Sequence, residues 1–469
     1  MSNQFTDLFQ KQKNHFLSSV KHEKIADRRN KLRAIKTWMR RNESLIISSI
    51  AADFNKSTEE IKFGEIKPVL SEINEALVNL RSWSSPKRVS SPVYLLGVNA
   101  RVITEPKGVV LIIAPWNFPF NLCIGPMITA LAAGNVVTIK PSELTPNTEK
   151  LIVQMVKELF DEKEVAVVTG DAEVGAELLK QPWNHIFFTG SPSVGSMVME
   201  AAAKNLSSVT LELGGRNPAI VDSTAHVKDA AEKLIWGKCF NAGQSCVSPN
   251  YLFVHVSKYD DLLIELKKAY EKYYGVKPGE DGDRKIAQIV NNRHFNRIKS
   301  LVESAVSEGA EVLFGGEFND EKNFIYPTIL TNVTQDSAVF KEEIFGPVLP
   351  IMKYENWSEV FDTINSVEIP LALYIFSRSN RNISTILEHT SAGTSCINET
   401  TIQFIHPELP FGGHNHSGIG KAHGHFGFRE FSNERSVLKQ RIGFTTAKMI
   451  YPPYNGLKQR IINFLTWRL

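Results

Sequence analysis

The sequence of 469 residues is poor in cysteine. Its four cysteines stand at positions 123, 239, 246 and 396, and no two of them form a CxxC pair. Zinc sites and disulfide frameworks need closely spaced cysteines, so neither is expected. A free cysteine is usually a small buried side chain, and this interpretation suits Cys123, Cys239 and Cys396.

The chain also lacks a strong excess of charge and a long apolar run. It has 53 basic and 50 acidic residues, for a formal net charge of +3, which argues against a nucleic-acid-binding protein. The longest aliphatic run, VVLIIAP, is too short to span a bilayer. The N-terminal segment has no apolar stretch behind a basic flank. We therefore expect a cytoplasmic protein.

Hydrophobic residues make up 42% of the chain, which is enough for two or three domains or subdomains. The first hundred residues show helical spacing of apolar residues. From Gly108 onward, apolar strands alternate with helices, which predicts parallel sheets covered on both faces. We divide these strands into two α/β series, the second beginning at SVTLELGG (208–215). Ligands of such sheets bind at the carboxyl ends of the strands.

One cysteine has unusual neighbours. Cys246 closes the segment FNAGQSC (240–246), where Gly243, Gln244 and Ser245 are small or polar. A thiol in an exposed loop is a candidate nucleophile, whereas a thiol that packs inside the protein is inert. The residues alone leave both interpretations open.

A second candidate site is FFTGSPSVG (187–195). Gly190 and Ser191 stand where a strand gives way to a helix, whose N-terminus suits a pyrophosphate. The segment lacks the GxGxxG pattern, and an ordinary capped turn is the alternative. Lys140 and Glu143 of IKPSE end another strand, where a carboxylate accepts hydrogen bonds from ribose hydroxyls; two solvated charges are the alternative.

Together these segments resemble the aldehyde dehydrogenase superfamily. The matching motifs, in the order and spacing of that family, are APWNFPF (114–120), IKPSE (139–143), FFTGSPSVG (187–195), LELGGRNP (211–218), FNAGQSC (240–246), EEIFGPVLP (342–350) and LPFGGHNHSG (409–418). They cover nearly the whole chain. The class 3 branch, which includes fatty aldehyde dehydrogenases, is the most similar one.

The resemblance implies an NAD(P)-dependent oxidation of medium- or long-chain aliphatic or aromatic aldehydes to carboxylic acids. It makes Cys246 the nucleophile, Glu212 the general base that hydrolyses the thioester, and Asn117 the oxyanion donor. A carboxylate at Glu143 would repel a 2′-phosphate and so favours NAD, with NADP as the alternative. The residues implied to hold the cofactor are Trp116, Lys140, Glu143, Gly190, Ser191, Val194, Gly195, Glu343 and Phe345. No metal is expected.

The implied fold is α/β, with a Rossmann-like cofactor domain, an α/β catalytic domain and a bridging oligomerisation hairpin. We expect the NAD(P)-binding domain at 1–209, with part of the hairpin near 83–107, and the catalytic domain at 210–402. Residues 403–469 would form the bridging segment and the C-terminal tail. The expected partners are the aldehyde and a second copy in a homodimer.

Three features depart from the family pattern or stay ambiguous. Arg216 stands where relatives more often have lysine. Five histidines (406, 414, 416, 423 and 425) lie within twenty residues, and an exposed loop at the substrate entrance is expected there rather than a metal site. The tail places Leu457, Ile461, Phe464 and Leu465 on one helical face, with Lys458, Arg460 and Arg468 adding positive charge. It would contact a membrane surface, the substrate entrance or the dimer partner.

Three rival functions differ in what they need. An acylating dehydrogenase passes the thioester to coenzyme A or phosphate, and has no need of Glu212. A thiol hydrolase without a redox cofactor needs a histidine base beside the cysteine. A non-catalytic binding or scaffold role does not explain why Cys246, Glu212 and Asn117 occur together.

Overall fold

The computed structural model describes residues 2–275 and 286–468. The helices of these ranges are α1 (Ser2–Ser18), α2 (Ile25–Arg41), α3 (Glu43–Phe54), α4 (Thr58–Ile61), α5 (Lys67–Trp83), α6 (Asn121–Ala133), α7 (Pro146–Leu159), α8 (Ala172–Leu178), α9 (Pro192–Ala203), α10 (Val227–Cys239), α11 (Tyr259–Tyr273), α12 (Asn292–Ser307), α13 (Ala338–Lys341), α14 (Trp357–Asn365), α15 (Asn380–His389), α16 (Gly424–Glu430) and α17 (Gly456–Arg468).

The strands are β1 (Lys87–Val89), β2 (Val98–Pro106), β3 (Val109–Ile113), β4 (Val136–Lys140), β5 (Val165–Val167), β6 (His185–Gly190), β7 (Ser208–Leu213), β8 (Pro218–Val221), β9 (Tyr251–His255), β10 (Glu311–Phe314), β11 (Phe318–Asn319), β12 (Phe324–Ile325), β13 (Thr328–Thr331), β14 (Val348–Tyr354), β15 (Ala372–Phe376), β16 (Thr394–Ile397), β17 (Gly418–Ile419) and β18 (Ser432–Gln440). The α/β class predicted from the alternating pattern is confirmed.

The first large sheet has the strand order β17-β7-β6-β3-β4-β5. Strands β3 to β7 are parallel, and β17 pairs antiparallel with β7. Val110, Leu111 and Ile112 are fully buried, because the helices that connect parallel strands cover both faces of the sheet. One of these helices, α6, is buried along almost its whole length.

The position of β7 corrects the sequence interpretation. We had expected SVTLELGG to begin the second α/β series, but β7 pairs in parallel with β6 through six residue pairs, from His185–Ser208 to Gly190–Leu213. An apolar strand pattern predicts burial and says nothing about which neighbour the strand pairs with. The domain boundaries at 209/210 and 402/403 stay predictions.

The second large sheet has the order β10-β13-β14-β9-β8-β15-β16, and only its edge strand β10 is antiparallel to its neighbour. A third sheet, β1-β2-β18, is antiparallel and largely exposed. Its strands β1 and β2 come from residues 83–107, where the bridging hairpin is predicted. Within residues 2–275 and 286–468, none of the helices combines the length and hydropathy that a membrane crossing requires.

Strand register places the predicted site segments at one edge of the first sheet. Ile113 of β3 is aligned with both Lys140 of β4 and Phe188 of β6, and Thr189 is aligned with Glu212 of β7. The chain leaves all four strands at the same side. Segments far apart in sequence are thereby brought to one edge, where ligands of such sheets bind.

Candidate active site

The loop that carries Cys246 has an unusual backbone. Asn241, Ala242 and Gly243 have φ values of 53°, 52° and 69°. Three successive residues in the left-handed region reverse the chain between α10 and Cys246, and each non-glycine residue there costs about 1 kcal/mol. Such a loop persists only where other contacts hold it.

Gln244 supplies several of those contacts. Its side-chain Nε2 donates to the carbonyl oxygens of Asn241, at 3.1 Å, and Gln288, at 3.0 Å. Its Oε1 accepts from the backbone N–H of Val290 at 3.0 Å. The Gln244 side chain is fully buried, so it fastens the loop to the segment before α12.

Asn117 lies directly against this loop. Its side-chain Nδ2 donates to the carbonyl oxygen of Gln244 at 3.2 Å, and its own carbonyl oxygen accepts from Asn241 Nδ2 at 2.9 Å. The residue is 3% exposed. An amide nitrogen carries two hydrogens, so one N–H remains for a ligand beside Cys246. This geometry suits the predicted oxyanion donor.

A buried charged cluster behind Asn117 was missed by the sequence analysis. Lys56 Nζ lies 3.5 Å from Glu65 Oε1 and 3.5 Å from the Asn117 carbonyl oxygen. Glu65 Oε2 accepts from the Asn121 N–H at 2.8 Å. Burial raises the pKa of Glu65 to about 7, while Lys56 opposes the shift. These residues belong to no motif, and only the fold brings Lys56 to Asn117.

Cys246 is partly buried, and its carbonyl oxygen accepts from Asn217 Nδ2 at 2.7 Å. Asn217 Oδ1 in turn accepts from the backbone N–H of Ala372, which ties the loop to β15. The pKa of the Cys246 thiol is raised to about 12, chiefly by burial and in smaller part by the nearby carboxyls of Glu212 and Glu343. The thiol is therefore protonated at neutral pH, and it must lose its proton before the sulfur can attack an aldehyde carbon.

Glu212 lies near the end of β7 and is 6% exposed. Neither of its carboxyl oxygens has a hydrogen-bond partner among the residues that the structure describes. Burial raises its pKa well above the ordinary value, and Lys421 acts in the opposite direction. An unpartnered buried carboxyl beside a thiol is a candidate general base, because burial strengthens its affinity for a proton.

Glu212 and Cys246 line one cavity. It encloses about 750 Å³, including the part open to solvent. Apolar side chains form most of its wall: Pro68, Leu122, Pro126, Phe187, Phe404, Ile405 and Phe411. Thr189, whose buried hydroxyl has no partner among the described residues, also faces this space. The cavity can hold an apolar chain whose reactive end meets the thiol.

Glu343, Phe345 and Trp116 form a second group close to Cys246. Glu343 Oε1 accepts from the Gly215 N–H at 3.2 Å, and burial raises its pKa to about 7. Phe345 has a φ of 50°, and its ring centroid lies 5.4 Å from that of Trp116. Trp116 also contacts His294, and the centroids of these two rings are 5.1 Å apart.

The predicted phosphate-binding turn forms the N-terminus of α9. Ser191 is the N-cap, and its Oγ accepts from the Val194 N–H at 3.4 Å. Both residues are exposed. A Cβ on Gly195 would lie 2.7 Å from a methyl of Leu213, so only glycine lets the helix pack this closely on β7. Gly190 likewise has no room for a side chain beside Phe188.

Lys140 and Glu143 follow β4 at the same edge. Lys140 is 5% exposed, and its Nζ lies 3.1 Å from Glu143 Oε2. The Glu143 side chain is 42% exposed, so it has free acceptor positions for hydroxyls. A helix N-terminus without bulky side chains beside an accessible carboxylate fits a dinucleotide. The residues present therefore fit NAD or NADP.

Two departures from the family pattern lie away from this site. Arg216 forms an ion pair with Glu368 and donates to the Phe340 carbonyl oxygen, so its charge is already paired. His414 and His416 are exposed in a turn around Asn415.

The exposed loop expected for the histidines is wrong for His423 and His425, which are partly buried. His423 stacks on Phe411 and lines the cavity, and His425 contacts Trp83. Across 2–275 and 286–468, no three His, Cys, Asp or Glu side chains group as a metal would require.

Comparison with known proteins extends this picture. The sequence model of the Aldehyde dehydrogenase family matches residues 3–437. A putative aldehyde dehydrogenase of Bacillus subtilis, AldX, is 44% identical over 88% of this chain and 93% of its own. The 4,4'-diaponeurosporen-aldehyde dehydrogenase of Staphylococcus aureus is 39% identical, over 94% and 95% of the two chains. Aldehyde dehydrogenase family 3 member A2 of Rattus norvegicus is 40% identical, over 92% and 88%.

Solved structures agree. A substrate-bound Staphylococcus aureus AldH superposes with a TM-score of 0.93 at 38% identity and covers 98% of this chain and 99% of its own. A Mycobacterium tuberculosis aldehyde dehydrogenase with NAD+ gives 0.85 at 26% identity, over 94% and 91%. A Methanocaldococcus jannaschii glyceraldehyde-3-phosphate dehydrogenase, complexed with NADP, also gives 0.85 at 27% identity, over 94% and 95%.

Proposed function

Because this chain belongs to the aldehyde dehydrogenase family, we propose that it oxidises medium- or long-chain apolar aldehydes, aliphatic or aromatic, to carboxylic acids with NAD or NADP. The oxidation of aldehydes follows from the family, and the apolar substrate is the finer proposal. The observation that carries it is the cavity with largely apolar walls that both Cys246 and Glu212 line.

In the proposed reaction the Cys246 thiol gives its proton to solvent water, its sulfur bonds to the aldehyde carbon, and the π electron pair of the carbonyl moves to the oxygen. The aldehyde oxygen becomes an oxyanion, which the free N–H of Asn117 and the Cys246 backbone N–H stabilise. A bound nicotinamide cofactor would supply the acceptor for the hydride that the carbon loses. Trp116, Glu343 and Phe345 are proposed to hold its nicotinamide end, with Lys140, Glu143 and the turn from Gly190 to Gly195 holding the rest.

The thioester left on Cys246 is then hydrolysed. Glu212 takes a proton from a water molecule, whose oxygen bonds to the thioester carbon. The carbon–sulfur bond breaks, the thiolate leaves and the carboxylic acid is released. The unpartnered carboxyl of Glu212 supports this role, whereas an acylating enzyme would have no use for it. The relatives are named as dehydrogenases. Their names therefore do not support the alternative functions of a thiol hydrolase or a scaffold.

The substrate proposal predicts a dependence on chain length. Each methylene buried in the cavity adds about 0.8 kcal/mol, or about fourfold in kcat/KM, until the cavity is full. We therefore expect dodecanal to be oxidised with a much higher kcat/KM than hexanal. NADH formation with propanal, hexanal, dodecanal and benzaldehyde measures this. A flat profile would contradict a chain-binding cavity.

Gly125 allows a sharper version of this test. It lines the cavity, and a Cβ there would meet only Asn121 Oδ1, at 3.5 Å. Gly125→Leu should therefore fill the cavity and lower kcat/KM for dodecanal by at least about tenfold, with a smaller loss for propanal. Gly125→Ala is the matched control, because it makes the same backbone change and fills little space.

We also propose that the chain forms homodimers through the exposed sheet β1-β2-β18, with residues 83–107 and 403–469 as the bridging parts. Val89 and Leu438 of this sheet are 50% and 60% exposed, which supports a partner there. Light scattering should then give about twice the chain mass of 52.6 kDa.

We also propose a cytoplasmic location, which is supported by four cysteines that are all unpaired.

The tail after β18 supports contact with an anionic membrane surface. It contains no acidic residue and these basic ones: Arg441, Lys448, Lys458, Arg460 and Arg468. Ile442 and Trp467 are 99% and 85% exposed, and Leu457 is 70% exposed. The side chains of Leu465 and Arg468, which the sequence analysis also named, lie outside the described ones. Basic residues near an anionic surface contribute about 1 kcal/mol each, and apolar side chains insert beside them.

The double variant Ile442→Ser, Trp467→Ser should therefore lose most of its binding to vesicles that contain phosphatidylserine. Co-sedimentation measures this, with Leu206→Ser as the control, because Leu206 is 94% exposed outside the tail. Equal binding to uncharged phosphatidylcholine vesicles would contradict the electrostatic part of the proposal.

A further inference from the structure

A charged pair that no motif predicted lies beside Glu212. Lys421 follows β17, and its Nζ donates to the carbonyl oxygens of Gly412 and, at 3.0 Å, Gly413. A Cβ on Gly412 would lie 2.9 Å from Glu212 Oε1 and 3.1 Å from Lys421 Cδ. The Lys421 side chain and the Glu212 carboxyl therefore both lie against the Cα of Gly412, and only a glycine at position 412 leaves room for both.

Glu430 links this lysine back to the strand that carries Glu212. Glu430 Oε1 accepts from the Lys421 backbone N–H at 3.3 Å. Its Oε2 accepts from the Thr210 hydroxyl at 2.8 Å. Thr210 precedes Glu212 by two residues on β7, so both side chains point to the same face of the sheet. Hydrogen bonds therefore connect β7 to Glu430 and Glu430 to Lys421. Lys421 in turn donates to Gly412 and Gly413, beside Glu212.

We propose that Lys421 is the positioning residue that keeps Glu212 able to accept a proton from the hydrolytic water, with the charge of Glu430 acting in the opposite direction. The inference rests on the proposed role of Glu212. Lys421 touches neither substrate nor the reacting atoms, and acts through the charge it places beside the carboxyl. Its effect is confined to the hydrolysis step, in which the water proton moves to Glu212 while the water oxygen replaces sulfur on the thioester carbon.

The electrostatics of the neighbours agree with this role. Burial is the largest influence on the pKa of Glu212 and raises it, the Lys421 charge lowers it, and the Glu430 charge raises it. Cys246, Glu72 and His423 are the other titratable groups that line the cavity with Glu212, and Glu343 acts with Glu212 on the Cys246 thiol. Without the lysine charge, Glu212 would hold its proton to higher pH, and the pH below which hydrolysis slows would rise.

The test measures hydrolysis alone. 4-Nitrophenyl acetate acylates Cys246 without cofactor, and the slow phase after the nitrophenolate burst reports hydrolysis of the acyl-enzyme. We expect Lys421→Met to move the acidic limb of the pH–rate profile for that phase upward by about one unit, since an opposite charge this close shifts a carboxyl pKa by one unit or more. Below the limb, the rate should fall about tenfold. Lys421→Arg should restore the parent profile, and Glu430→Gln should move the limb to lower pH.

Two comparisons separate this proposal from its premise and from misfolding. Glu212→Gln must first abolish the slow phase, and if it does not, the role of Glu212 itself fails. If it does and Lys421→Met leaves the limb in place, only the role of Lys421 fails. Lys13→Met, the same change on the exposed face of α1, should leave the profile unchanged. If Lys421→Met and Glu430→Gln both shifted the limb in one direction, the proposal would be overturned, because their charges are opposite.

Discussion

Cys246→Ala is expected to abolish NADH formation from every aldehyde, with a loss of about 10⁴-fold or more in kcat/KM. The reason is that hydride leaves only from a tetrahedral carbon that bears an electron-rich oxygen, and the thiol creates that carbon. Loss of a catalytic nucleophile commonly removes most of the rate acceleration. Stopped-flow absorbance at the NADH band should show neither a burst nor a steady phase, at any aldehyde concentration.

A matched substitution shows whether this loss belongs to the one thiol. Cys396 is half-buried on the edge strand β16, so Cys396→Ala makes the same change away from the cavity. It should retain activity within a few-fold. If Cys246→Ala produced NADH at the rate of Cys396→Ala, covalent catalysis through Cys246 would be excluded. Substrate binding should survive in the Cys246 variant, since the cavity walls are untouched.

The contrast between these two cysteines shows what the sequence could predict. The small and polar neighbours of Cys246 already set it apart, and the structure explains them. Gly243 is needed for a positive φ, and Gln244 for the hydrogen bonds that hold the loop. The strands that lead to the site are short apolar runs bounded by turns, so β3, β4 and β6 were predictable from pattern alone. Their parallel pairing then brought Lys140 and Gly190 to one edge.

What the sequence could not predict depends on contacts between distant residues. Lys56 and Glu65 lie far from Asn117 in the chain, and Lys421 lies 209 positions after Glu212, so no local pattern joins them. The apolar wall of the cavity comes from α5, α6, β6 and the segment around Phe404. Each of those side chains alone reads as ordinary core. Strand pairing is non-local in the same way, and for that reason β7 was assigned to the wrong series.

The second large effect is expected at Glu212, and it differs in kind from that at Cys246. In Glu212→Gln the thiol can still attack and hydride can still leave, but the thioester is no longer hydrolysed with a base. We expect a burst of about one equivalent of NADH, followed by a steady rate lower by about 10²- to 10⁴-fold. Stopped-flow absorbance measures both phases, and mass spectrometry of the stalled protein should show one acyl group on Cys246.

A second measurement shows whether the Cys246 thiol is still reactive in Glu212→Gln. The Glu212 carboxylate raises the pKa of Cys246, so removing its charge should lower that pKa and speed alkylation by iodoacetamide at a fixed pH. A variant that alkylates faster yet turns over slowly has an intact nucleophile and a missing base. Sustained turnover of Glu212→Gln would instead mean that another group activates the water. If turnover also required coenzyme A, the acylating alternative would hold, because there the thioester leaves by transfer to a thiol and Glu212 has no proton to take.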